Sequence, residues 1–225
     1  MPKNRLLQSL DPRVQLAISR DLERVNLPRG EHLFAAGQIP EFVYFPTSCL
    51  ISMVVILESG STVEAATIGS DGFVGISTYL GMAKADTTAV VQIGGEAQRM
   101  RVEAFLKHMT EESFRDSLGA STAKTIATIA QSIACIAFHP VPERLARWLL
   151  LVRDGIQQDE FLLTQDFIAV MLGVHRATVT IAVRLLETAG LIEHRRGLIR
   201  IVDVAALTEA ACECYRTSGL ERIQR

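Results

Sequence analysis

The chain has 225 residues, 48% of them hydrophobic, with 23 Lys and Arg against 25 Asp and Glu and a formal net charge of −2. That length allows one large or two modest domains with real cores, and the near-neutral balance excludes a large polybasic surface, so any nucleic-acid affinity must come from local geometry. No run approaches the roughly 20 apolar residues of a membrane span, and Gln8, Ser9 and Asp11 interrupt any signal-peptide core behind Lys3 and Arg5, so a cytoplasmic location with no membrane partner is the expectation.

Residues 12–25 read as helical. From about Arg29 to Arg101 the texture changes, with glycines such as Gly30, Gly37, Gly60, Gly72 and Gly94 between short apolar runs. Phe42 to Phe45, Leu50 to Leu57, Val63 to Ile68 and Ala89 to Ile93 read as strands, and Cys49 to Leu57 as a buried one. Many short strands with regular glycine punctuation indicate an all-β barrel or roll.

The segment from about Val102 to Phe138 reads as a long helix. Between Asp116 and Glu143, Lys124 is the only charged residue, His aside. Gly119, Ala123, Ile126, Ala130, Ile133 and Ala137 follow the four-three spacing of a coiled-coil seam, and Leu118, Thr122, Thr125, Ile129, Ser132 and Ile136 form a second line beside it. A helix apolar on two faces must be buried on two faces. One face suits the roll, and Ile126, Ala130, Ile133 and Ala137 suit a second copy of the chain; a wholly intrachain core helix is the alternative. Pro140 and Pro142 break the helix. The next helix packs through Leu145, Trp148, Leu149 and Val152.

Thr164 to Gly197, TQDFIAVMLGVHRATVTIAVRLLETAGLIEHRRG, carries the most chemistry. Thr164 is an N-cap and Asp166 complements the helix dipole. Phe167, Ile168, Met171 and Leu172 share a face, and Gly173 ends the helix, with Val174 as a buried plug after it. A second helix runs from His175 or Arg176 to near Thr188, before Gly190. Val179, Ala182, Val183 and Leu186 form its apolar face, and Arg176, Ala177, Thr180, Ile181 and Arg184 the opposite one. Two strands, Leu191 to His194 and Leu198 to Val202, then flank Arg195-Arg196-Gly197, whose glycine supplies the positive φ of a tight hairpin. This is a winged helix-turn-helix, a shape that puts one helix into a DNA groove. Five arginines (176, 184, 195, 196 and 200) face Glu187 and Glu193 here, a local balance of +3. A generic helical hairpin is the bland alternative.

Cys49, Cys135, Cys212 and Cys214 form neither a disulfide framework nor a zinc spacing, and the five histidines show no metal-ligand pairing, so no metal is expected. Cys212 and Cys214 read as ordinary helical side chains, with a redox role the sharper alternative. There is no nucleophile elbow, phosphate loop or dinucleotide fingerprint. Catalytic residues are expected to be none and the chain not to be an enzyme.

LPRGEHLFAAG (27–37), IGSDGFVG (68–75), VPERLARWLL (141–150) and the Thr164–Gly197 segment, in this order, resemble the Crp/Fnr family of bacterial transcription regulators. The resemblance implies an α+β chain: an N-terminal β-roll (jelly-roll-like) sensor domain over 1–106, a dimerisation helix over 107–138 and a winged-helix DNA-binding domain over 139–225. It implies a homodimer on a two-fold symmetric double-stranded DNA operator, with RNA polymerase as a further partner. In the family the recognition helix often offers Arg, Glu and a second Arg. The matching positions here are Arg176, Ala177 and Ile181. Arg176 is suited to guanine O6 and N7, Ala177 and Ile181 to thymine methyls, and His175, Thr178 and Thr180 to phosphates. Arg184 and the wing residues Arg195 and Arg196 complete the expected DNA-binding set.

Members that bind cyclic AMP carry a Glu in a Gly-Glu-x-Gly turn and an Arg-Ser pair further on. The turn here is Gly72-Phe73-Val74-Gly75, and Thr87-Thr88 fill the later positions. These six mark the effector pocket, but a cyclic phosphate loses its countercharge there, so no response to cyclic AMP through the usual pocket is expected. Residues 1–48 lack the cysteines of the iron–sulfur members, no haem ligand stands out, and no cofactor is expected. Two other functions stay open: a ligand-independent DNA-binding regulator whose roll is a scaffold, and a protein-interaction module that does not bind DNA.

Overall fold

A computed structural model describes residues 4–217, which form two compact units: 4–54 with 67–125, and 55–66 with 126–217. In chain order the elements are α1 (Arg5–Gln8), α2 (Pro12–Ile18), β1 (Glu23–Leu27), β2 (His32–Phe34), β3 (Phe42–Pro46), β4 (Leu50–Ile56), β5 (Thr62–Ile68), α3 (Ile76–Tyr79), β6 (Thr88–Ile93), β7 (Gly95–Arg101), α4 (Val102–His108), α5 (Glu112–Phe138), α6 (Val141–Ile156), β8 (Glu160–Leu162), α7 (Gln165–Leu172), α8 (Arg176–Thr188), β9 (Ile192–Arg195), β10 (Leu198–Ile201), α9 (Val204–Ala210) and α10 (Cys214–Thr217).

Strands β1 to β7 form two roll sheets, ordered β1-β7-β3 and β2-β6-β4-β5, and the first unit holds all of them except the end of β4 and the first part of β5. Alternation along β3 explains its all-apolar run. Val43 and Phe45 join a cluster with Leu6, Leu10, Ile18, Phe73, Phe105 and Phe114, while Phe42 and Tyr44 join one with Leu27, Ile51, Ile68 and Val91. A strand buried on both faces needs apolar residues at every position.

Three expected spans differ. The helix expected over 12–25 stops at Ile18, and Glu23–Leu27 is instead an edge strand against β7, where Glu23 and Arg99 lie opposite and pair at 3.0 Å. The helix expected from Val102 is broken between His108 and Glu112. The break turns the chain so that Phe105 and Phe114 meet edge to face at 5.6 Å in one core. The strand starting at Cys49 is buried only through Val54. Its pairing with β6 ends there, and Val55, Ile56 and Leu57 are exposed.

The second unit is built on α6, which packs on α8 and α9. Pro140 is its N-cap and Pro142 sits in its first turn, where a missing amide hydrogen costs nothing. Leu145, Trp148, Leu149 and Val152 are all buried. The sheet is ordered β8-β10-β9. No single helix among the described residues is long and apolar enough to cross a membrane.

Candidate nucleic-acid interface

The helix-turn-helix is assembled by local chemistry. Thr164 accepts a hydrogen bond from the Phe167 amide at 3.3 Å, and Gly173 closes α7 with φ +63°. Three residues later, at Arg176, α8 begins, and the axes of the two helices differ by 106°, inside the range of about 90–120° for this motif. Ile168, Met171, Leu172, Val179, Ala182, Val183 and Leu186 are buried. Phe167 and Val174 are only partly buried, so Val174 half fills the plug position.

The outward face of α8 carries His175, Arg176, Ala177, Ile181 and Arg184, all exposed. Ile181 leaves 62% of its surface open. Thr178 and Thr180 are half-buried at the edges of that face. Thr180 is already engaged: its hydroxyl donates to Gln165 Oε1 at 2.7 Å and lies 3.2 Å from the Arg176 carbonyl. Arg176 lies 3.3 Å from Asp166, with both side chains about two-thirds exposed (65% and 68%). A pair this open is worth little in water and leaves the guanidinium available.

Three supports escaped the sequence reading. Gln165 holds Thr180. Arg144, buried on α6, donates to the Leu172 carbonyl at the C-terminal end of α7. Glu187 accepts the His194 amide at 3.1 Å, tying α8 to the wing. Only the Arg144 position carried a signal, as one of two arginines, with Arg147, set among the apolar residues of α6.

The wing is tighter than expected, because β9 runs on through Arg195 and a two-residue turn remains. Arg196 (φ +50°) and Gly197 (φ +80°) form it, both at the positive φ that a type I′ hairpin needs. Arg195 and Arg196 are exposed at the tip.

On α5, Ile126, Ala130, Ile133 and Ala137 form one exposed apolar line, with Ile133 65% open. The neighbouring line starts buried, at Leu118 and Thr122, and ends exposed at Ile136.

The turn expected to line the effector pocket lies mostly in the core. Phe73 stacks between Phe45 and Phe105, and Val74 exchanges two backbone hydrogen bonds with Tyr44. Gly75 has φ +144°, and a Cβ there would meet Val43 at 2.9 Å. A Cβ at Gly72 would crowd the Ile68 side chain at 3.1 Å. Thr88 is buried and accepts the Ala36 amide at 3.1 Å, while Thr87 donates to Asp86 at 3.3 Å. Asp86 also accepts from Ser77 at 2.7 Å. A cleft elsewhere on the roll, lined by Asn4, Gln15, Leu22 and Gln98, contains none of these six residues.

The fold also gathers what the spacing scattered. Cys135, Cys212 and Cys214 are buried together with His139 beside them, so the expectation of no metal-ligand pairing among the cysteines and histidines does not describe their arrangement in space. Cys49 is buried apart from them, in the roll.

The sequence matches the family model of the Crp-like helix-turn-helix domain over residues 143–210, and that of the cyclic nucleotide-binding domain over residues 24–112. No curated protein matches the chain. Among solved structures, the chain is similar to a CRP-family transcriptional regulator of Thermus thermophilus, with 19% identity over 84% of this chain and 96% of that one and a TM-score of 0.69. FixK2 of Bradyrhizobium japonicum gives 16% identity, coverage of 84% and 97%, and a TM-score of 0.72. The c-di-GMP responsive regulator CLP of Xanthomonas campestris gives 15%, coverage of 86% and 100%, and a TM-score of 0.66. At these identities the structures establish the fold, while the two domain matches, in this order along the chain, establish the lineage, which is one of regulators and not of enzymes. The chain belongs to the Crp/Fnr family of transcription regulators.

Proposed function

We propose that the protein is a homodimeric, sequence-specific DNA-binding regulator that does not respond to cyclic AMP through the usual pocket. The observation that carries the reading is the outward face of α8, where Arg176, Ala177, Ile181 and Arg184 stand open while the opposite face is fully packed. In this reading Arg176 reads guanine, Ala177 and Ile181 meet thymine methyls, and His175, Thr178, Arg184, Arg195 and Arg196 meet phosphates. Thr180 orients α8 through Gln165 instead of touching DNA.

The exposed line Ile126, Ala130, Ile133 and Ala137 supports pairing with a second copy. Two copies would present two α8 helices to successive major grooves of a two-fold symmetric site. The functional division then runs 1–106 roll, 107–138 dimer helix and 139–225 DNA-binding domain.

The reading on cyclic AMP is supported by chemistry at Thr87 and Thr88. Their hydroxyls are engaged, and the carboxylate of Asp86 stands beside them. A cyclic phosphate gains no charge-assisted bond from such a set. Burial of Phe73 and Val74 in the core also favours the second reading, a roll that serves as a scaffold without a ligand.

The test is selection of bound duplexes from a random library, followed by titration with cyclic AMP. The reading predicts an inverted-repeat site and no change in affinity with the nucleotide. Recovery of no enriched site, or a cyclic AMP requirement, would contradict it.

A further inference from the structure

Four soft ligands meet at one point in the second unit. Cys135 is in the last turn of α5 and His139 follows its end, with the His139 amide bonded to the Cys135 carbonyl at 3.0 Å, so the turn continues and the two side chains stand one above the other. Cys212 and Cys214 arrive from the far end of the chain, either side of the turn between α9 and α10. Cys135 Sγ is 3.4 Å from Cys212 Sγ, and Cys214 Sγ is 3.5 Å from His139 Nδ1. All four ligand atoms fall within 4.8 Å of one another. We propose that Cys135, His139, Cys212 and Cys214 bind a single zinc ion in a closed, tetrahedral, structural site.

The distances select a mononuclear centre. Zinc–sulfur bonds of about 2.3 Å at tetrahedral angles put neighbouring sulfurs about 3.8 Å apart; the Cys135–Cys212 separation of 3.4 Å is within a few tenths of an ångström of that, and no pair in the set is wider than 4.8 Å. In an iron–sulfur cluster at least some of the four ligands bind different irons, and those stand further apart than any pair in this set. A disulfide between Cys135 and Cys212 needs sulfurs about 2.0 Å apart and would leave Cys214 and His139 without a purpose. The donor set, three cysteines and one histidine, is a standard closed zinc set.

The surroundings suit the charge. Three thiolates around one divalent cation leave a net negative site. Arg144 and Arg147 of α6, both buried, lie near enough for their fields to act on the cysteines. Gln131, one turn before Cys135, donates from Nε2 to Cys214 Sγ at 3.0 Å, as an outer-shell group does that orients a ligand. Zinc at this point clips the end of α5 to the segment that follows the wing.

The test uses the full chain purified under reducing, anaerobic conditions, with metal content and thiols counted and no DNA present, so it stands or falls apart from the DNA-binding reading. The proposal expects about one zinc per chain, lost in Cys135→Ser, Cys212→Ser and Cys214→Ser and kept in Cys49→Ser. Chelated wild-type protein given Co2+ should show the visible bands of a tetrahedral, thiolate-rich site, which keeps the test valid where a cysteine variant fails to fold. Gln131→Ala should weaken zinc binding roughly tenfold. Absence of zinc together with no cobalt bands, a Cys135–Cys212 disulfide in the freshly purified protein, or iron with acid-labile sulfide would each overturn it.

Discussion

Thr180 Oγ1 donates to Gln165 Oε1 across 2.7 Å, so the middle of α8 is pinned to the first turn of α7. Thr180→Val keeps the shape and removes the bond. It should cost about 1 kcal/mol, read as a fall in Tm of about 2–4 °C, with the salt dependence of DNA binding unchanged. An unchanged Tm with affinity lowered by the same factor on specific and random duplexes would make Thr180 a phosphate contact instead.

Arg144 supports the same motif from beneath, through its bond to the Leu172 carbonyl. Arg144→Met fills similar volume and leaves that helix end without its charged donor. A hydrogen bond to a charged group contributes about 1.5–3 kcal/mol, so a loss of about 2 kcal/mol in chemical denaturation is expected. A loss below about 0.5 kcal/mol, the range of neutral surface changes, would show that Arg144 is not structural.

How far the sequence spoke for itself depended on what each segment packs against. Thr164, Gly173 and the apolar spacing of α8 marked the helix-turn-helix because caps and periodicity are local signals. Glu23–Leu27 stayed hidden because an edge strand alternates weakly and its partner, β7, lies some 70 residues on. Phe73 and Val74 looked like pocket residues because their turn resembles a ligand-binding one. Their burial depends on Phe45, Phe105 and Tyr44, which no local pattern connects to them. The cluster of Cys135, His139, Cys212 and Cys214 was invisible for the same reason, since half of it closes across more than 70 residues.

Ile133 is 65% exposed, so charge placed there should spare the folded subunit and break only a pairing of subunits. Ile133→Glu is expected to halve the mass seen in sedimentation while leaving the far-ultraviolet spectrum intact. A dimer of unchanged mass would remove this face from the interface.

Burial pushes the Cys49 thiol up from 9.0 to about 12. Native protein at pH 8 should therefore resist alkylation at Cys49, which should label fully in denaturant. The raised value favours the neutral thiol in the folded state, so the unfolded chain releases its proton first. Stability should fall as pH rises from about 9 towards 12, by up to about 1.4 kcal/mol per pH unit. Cys49→Ala should flatten that part of the alkaline denaturation curve, and an unchanged slope would assign the effect elsewhere.

The central claim is that α8 reads DNA through Arg176. The direct measurement is fluorescence anisotropy of wild type and Arg176→Ala, on the selected duplex and on a random one, across a salt series. The account predicts wild-type affinity that falls steeply with salt, and a loss of about 1–3 kcal/mol in the variant confined to the selected duplex. Equal losses on both duplexes, or no salt-dependent binding by the wild type, would contradict it.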